Sequence, residues 1–292
     1  MGFWNTLFGG TELSPEEEKK EQEAKNFDLL KYDGVKAMKM GQADYAVRCF
    51  QEALKLKDDL ETHDYLSQTL LRMGRLDEAI AELQVLAKAE PDNAPIQKRI
   101  AQVAYMQEDY DTMATACEQA MQIDANDAHA YYLNAQAQLG RGNAVGAIAM
   151  LTKAIAIEEN YGDAYLLRGQ ILLGMGDTAG ADSDAAWLTE HAGEHEDILL
   201  LRARVEAAKG NAVAAIENYG QVIELNPFSI EAFRERGQLR FNSGDKAGAD
   251  QDLQKVLELD PNLLADVSGE YSAEGIEHRV KEAYSVVNPL GL

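Results

Sequence analysis

Glycine recurs at positions 41, 74, 142, 176, 210 and 244, at intervals of 33, 68, 34, 34 and 34 residues. The long interval is two periods, and Glu108 occupies the skipped slot. Alanine keeps the same spacing at Ala46, Ala79, Ala147, Ala181, Ala215 and Ala249, with Met113 in the gap. A third column stays small throughout: Gly34, Ser67, Ala101, Ala135, Gly169, Ala203 and Gly237. Such a period argues for an array in which each unit packs on its neighbours. At 292 residues the chain is also beyond the size at which one core usually keeps growing.

Each unit reads as helix, turn, helix. Between Tyr165 and Gly176, Tyr165, Leu166, Ile171, Leu172 and Leu173 supply an apolar face, and Gly176-Asp177 ends the helix. Glycine suits that place because helices commonly finish on a left-handed residue. A second helix follows, such as 212–225, and often stops at proline: Glu90-Pro91, Asn226-Pro227, Asp260-Pro261. The small columns mark close crossings of helix backbones, where overpacking costs roughly 1–3 kcal/mol.

These residues resemble the tetratricopeptide repeat family, whose typical repeat endings are similar to Leu225-Asn226-Pro227 and to 257–262, Leu-Glu-Leu-Asp-Pro-Asn. The family's register sets units at 27–59, 60–93, 94–127, 128–161, 162–195, 196–229 and 230–263. The resemblance implies an all-α fold: a right-handed superhelical solenoid of seven helix-turn-helix repeats with capping helices at both ends. Glu108, Met113 and Gly193, which stands where proline is expected, depart from the pattern and leave the geometry of their turns open.

The ends read as caps. Residues 1–26 hold an aromatic stretch with Phe3, Trp4, Leu7 and Phe8, then a charged lead-in helix over 16–25. Ser14-Pro15-Glu16-Glu17 has capping-box spacing, with proline at the first helical position. Residues 264–292 carry a final helix, 272–287, with Ile276, Val280, Ala283, Tyr284 and Val287 on one face.

Charge and cysteine content narrow the partners. With 27 basic against 50 acidic residues the net charge is -23, which repels nucleic acid and anionic lipid. A protein or peptide partner is expected, no nucleic acid, and no membrane. Cys49 and Cys117 form no disulfide framework and read as small buried hydrophobes, which fits a reducing, cytoplasmic setting. The first ten residues lack a basic region of signal-peptide type.

No catalytic constellation and no cofactor motif is present, so an enzyme is not expected. His191 and His195, spaced for a shared metal on one helical turn, flank Gly193, where the register predicts the turn between units. A solvated polar loop is the expectation there. Arg168, Arg202 and Arg236 form a column, with Asp184 and Asp252 on the second helices as partners. Trp187 is expected to be partly buried packing.

In the resembled family the first helices line the inner surface. That places a glutamine ladder there, Gln68, Gln102, Gln136, Gln170 and Gln238 with Arg204, beside an apolar centre of Tyr132, Leu133, Leu166, Leu167, Leu200 and Leu201. A buried leucine-sized anchor contributes roughly 1.5–3 kcal/mol against about 0.5–1.5 for a hydrogen bond, so the leucines would set affinity and the ladder orientation. The other reading of these leucines is packing between adjacent first helices. One subgroup of the family grips chaperone C-termini through lysine, asparagine and arginine. Here only Lys31 and Arg99 match, with Val35 and Tyr65 in the asparagine places, so no such binding is expected. The implied role is a scaffold or adaptor holding a peptide segment or partner helix in the groove. The rival is a structural self-assembler joined through its ends or its aromatic N-terminus.

Overall fold

The computed structural model describes residues 14–260. Within them the chain forms helices and no strands. Two compact units divide it, Met1–Gly142 and Asn143–Leu292. The aromatic segment 1–10 and the helix expected at 272–287 lie outside the described residues.

The first unit contains α1 (Pro15–Lys39), α2 (Ala43–Leu56), α3 (Leu60–Arg72), α4 (Leu76–Ala89), α5 (Ala94–Met106), α6 (Tyr110–Ile123) and α7 (Ala128–Gly140). The second contains α8 (Ala144–Ile157), α9 (Gly162–Gly174), α10 (Thr178–His191), α11 (Glu196–Ala208), α12 (Ala212–Leu225), α13 (Ile230–Asn242) and α14 (Lys246–Leu259). Inside each unit a helix packs on its neighbours in sequence, and first helices also touch the next first helix, as α5 touches α7 and α9 touches α11. This is an all-α solenoid packing in which contacts stay local.

The turns follow from the periodic glycines. Gly41, Gly74, Gly142, Gly176, Gly210 and Gly244 all have φ between 71° and 87°, the left-handed region where glycine carries no side-chain penalty. Glu108 adopts the same conformation at φ 57°, so the skipped slot keeps the turn without its glycine. The residue after the turn often starts the next helix. Asp109, Asn143, Asp177 and Asp245 each accept a hydrogen bond from the backbone N–H three residues on.

The small columns are buried where helices cross. A Cβ on Gly34 would stand 2.6 Å from the Phe50 ring, and one on Gly169 would stand 2.9 Å from Leu201. Met113 is fully buried in the column otherwise held by alanine. It shares one core cluster with Ala101, Ala104, Ala114, Ala116 and Ala137 as well as larger side chains such as Leu83 and Ile100. At the amino end Ser14 and Glu17 form the expected reciprocal cap, at 2.7 and 3.3 Å. The lead-in helix does not stop before residue 27. It runs on into the first hairpin as the single 25-residue helix α1, since residues 24–29 offer neither glycine nor proline to break it.

Candidate functional site: the inner face of the first helices

In the first unit, ion pairs brace successive first helices. Lys31 on α1 donates to Asp59 at 2.8 Å and Glu61 at 2.5 Å, and Arg99 on α5 pairs with Asp64 and reaches Ser67 at 2.8 Å. Lys98 on α5 donates to Asp127 ahead of α7 at 2.5 Å. Burial works against the charge on Lys31, but its two carboxylate partners carry its pKa above the usual lysine value. The glutamines of this unit differ in availability. Gln68 donates to Asp64 at 2.8 Å, whereas Gln102 is exposed and Gln136 half-buried. Tyr132 is half-buried with its ring parallel to His129, while Leu133 is only 5 % exposed.

In the second unit, Leu166, Leu167 and Gln170 on α9 remain partly exposed, as does Gln238 on α13. Leu200 and Leu201 do not. They are 5 % and 1 % exposed, and they belong to the packing. Leu201 joins Ala181, Ala185 and Leu188 of α10 in one core cluster, and Leu200 joins Tyr219 and Ala232 in the next. The expectation that Leu133, Leu200 and Leu201 line the groove is therefore corrected to core packing. Leu133 and Leu201 pack back onto the preceding hairpin, and Leu200 meets its own second helix and Ala232 of the next first helix.

Arg204 is also committed internally. Its guanidinium bridges from α11 to α13, bonding Glu235 at 3.0 and 2.8 Å and pairing with Glu231. The Tyr219 hydroxyl donates to Glu235 at 2.6 Å from α12, which closes the cluster. Burial tends to lower the Arg204 pKa, but the Glu235 carboxylate overrides it and the value rises. Sequence reasoning missed Arg234, three residues beyond Glu231 on α13. It takes the place of Leu166 and Leu200 in its repeat, and its Nε is buried without a hydrogen-bond partner. The register of that column was the available signal.

The arginine column behaves as expected in two hairpins. Arg168 grips Asp184 through Nε at 2.9 Å and Nη2 at 2.6 Å, and Arg236 holds Asp252 at 3.0 and 2.6 Å. Arg202 has no such acid, because the matching position is Asn218. Trp187 is half-buried between Tyr165, at 3.8 Å between ring centroids, and His191, at 4.4 Å. His191 bonds the Trp187 carbonyl at the end of α10, while His195 stands just ahead of α11, without a side-chain capping bond, beyond the left-handed Gly193. The two imidazoles thus belong to different helices, and the one-turn metal geometry does not form. Cys49 and Cys117 are buried free thiols. Burial pushes the Cys117 thiol up to about 12, so it stays protonated and unreactive at neutral pH.

The family model described as Tetratricopeptide repeat matches residues 66–128, 166–229 and 200–263, together more than half of the chain. No curated protein sequence matches. Solved structures do. A tetratricopeptide repeat protein from Parabacteroides merdae is 14% identical with a TM-score of 0.65, covering 89% of this chain and 98% of its own. PilF of Pseudomonas aeruginosa is 16% identical with a TM-score of 0.54, covering 70% and 94%. YrrB, described as a TPR protein with an unusual peptide-binding site, is 17% identical with a TM-score of 0.52, covering 62% and 93%. At these identities the likeness concerns the fold.

Proposed function

The chain belongs to the tetratricopeptide repeat family, and from that membership we propose that it is a non-catalytic scaffold or adaptor. It holds a peptide segment or partner helix against the inner face of its first helices. Proteins of this family are protein-interaction scaffolds as a class, and the structurally similar YrrB is described as having a peptide-binding site. The observation that carries the reading here is a set of incompletely buried side chains on that face. In the second unit these are Leu166, Leu167, Gln170, Arg234 and Gln238, and in the first Gln102, Tyr132 and Gln136. The leucines supply apolar contact, and the amides can bond the backbone of an extended segment.

The seven-unit partition from 27 to 263 belongs to the same reading, as does a cytoplasmic location, for which the two buried free thiols speak. Among the described residues no helix is long and apolar enough to cross a membrane.

The test is recovery of partners from the native host by wild type and by Leu167→Glu combined with Arg234→Glu, with circular dichroism confirming the fold. Loss of specific partners supports the assignment. Equal recovery removes this face. Titration with a peptide ending Glu-Glu-Val-Asp should give no micromolar binding, because Lys31 and Arg99 are already held by the chain's own carboxylates.

A further inference from the structure

We propose that the turn joining α5 to α6 is a docking point for a lysine- or arginine-bearing amphipathic segment of a partner protein. The proposal rests on the reading of the first helices as the contact face, and it names the chemistry of what the first unit takes at the rim of that face.

Two independent observations meet at this turn. The first is conformational. Every sister turn uses glycine for its left-handed residue, and this one uses Glu108 at φ 57°. A side chain there is strained, and its carboxylate is exposed with no hydrogen-bond or ion-pair partner, so no contact within the chain compensates for the strain. The second is an apolar platform beside it. Tyr105 and Met106, the last residues of α5, are 47 % and 56 % exposed. The Tyr105 ring meets Tyr110 edge-on at 6.5 Å between centroids. Tyr110 in turn lies over Gly140, where any Cβ would collide with its ring, so the α7 backbone makes room for the platform.

The charges around it favour a cation. Asp109 accepts the Thr112 N–H at 3.0 Å, and hydrogen bonding by the Thr112 side chain, then by that N–H, lowers its pKa and keeps it ionised. The neighbouring arginines are engaged elsewhere: Arg141 by Asp111 at 3.1 Å, and Arg75 by Glu78 at 2.6 Å. Asp77 accepts from Gln107 at 2.7 Å. What remains open is an unpartnered carboxylate next to tyrosine and methionine surface. This arrangement suits an ammonium or guanidinium with an apolar residue one helical turn away.

The probe is a fluorescein-labelled fifteen-residue peptide of lysine and leucine in amphipathic order, with glutamate replacing lysine in its counterpart. Binding is read by anisotropy at physiological salt. The wild-type chain should bind the lysine peptide and not the glutamate one. Glu108→Gly should weaken binding by about five- to tenfold while raising thermal stability. Tyr105→Ser with Met106→Ser should weaken it similarly, and Glu217→Gln, removing an exposed charge elsewhere, should leave it within about twofold. Failure of wild type to bind, or equal weakening by Glu108→Gly and Glu217→Gln, overturns the proposal, the latter by reducing it to general acidity. Leu167→Glu with Arg234→Glu should leave the peptide affinity intact, so loss of the second-unit face and loss of this rim are read separately.

Discussion

Glu108 sets a left-handed backbone against a side chain that dislikes it, and the six glycines in equivalent turns show what relieves the conflict. Glu108→Gly should therefore stabilise the chain by about 1 kcal/mol. That raises the unfolding midpoint by about 2–4 °C in calorimetry. An unchanged or lower midpoint would mean that the turn is unstrained. His63 on α3 offers a pH-dependent counterpart. Its Nε2 lies 2.8 Å from Asp58 and its Nδ1 pairs with Glu82. Burial disfavours the imidazolium, but the two carboxylates outweigh it and raise the pKa above 6.5. A raised folded-state pKa gives stability that is fully present below the unfolded value and lost as pH rises through the folded one. The stability gap between wild type and His63→Gln should thus be wider near pH 6 than near pH 9, measured by urea unfolding; a gap independent of pH would contradict the pairing.

Between elements, the governing quantity is how closely helices approach. Gly169 on α9 meets Leu201 of α11 and Asp184 of α10, so Gly169→Val should cost about 1–3 kcal/mol. Gly162→Ala at the start of the same helix should be nearly neutral, since the added carbon meets only Leu188 at 3.9 Å. Denaturant midpoints of the two variants separate packing from mere loss of glycine. The Arg204 brace between α11 and α13 makes a second contrast. Arg204→Ala strands Glu235, which is only 8 % exposed, and should cost about 3–5 kcal/mol. Arg204→Met with Glu235→Leu should recover much of that loss by restoring apolar packing. This brace also explains what the sequence concealed. Arg204 occupied a glutamine column and looked like a groove residue, but its partners lie 27 and 31 residues on, in α13, where periodicity alone does not announce a bond. Leu200 and Leu201 raise the same difficulty. The pattern places adjacent leucines near the inner face without saying which of them a neighbouring helix will cover. Gly34 and Gly169, by contrast, were readable, because a position restricted to small residues has few causes.

Across the whole chain, the 34-residue repeat was legible because every unit must solve the same turn and the same crossing. Gly142-Asn143, at the border between the compact units, was not, since it reads like Gly176-Asp177 or Gly244-Asp245 within the second unit. The merger of the lead-in helix with the first hairpin was less legible, since the lack of glycine and proline at 24–29 permits continuation without requiring it. Local packing predicts that damage stays local. In hydrogen exchange, Leu201→Glu should strip protection from α9 to α12 while the amides of α3 to α6 keep theirs. Uniform loss over all these helices would instead indicate one cooperative body.

The left-handed turns at a constant interval carry an implication for how such a chain can change over generations. Each of these hairpins turns through the same left-handed backbone conformation. Within a unit, excising or duplicating one whole period therefore preserves the phase of everything downstream, while a gain or loss of a few residues inside a helix rotates its apolar stripe away from its neighbours. Length in this protein is altered most safely in whole hairpins.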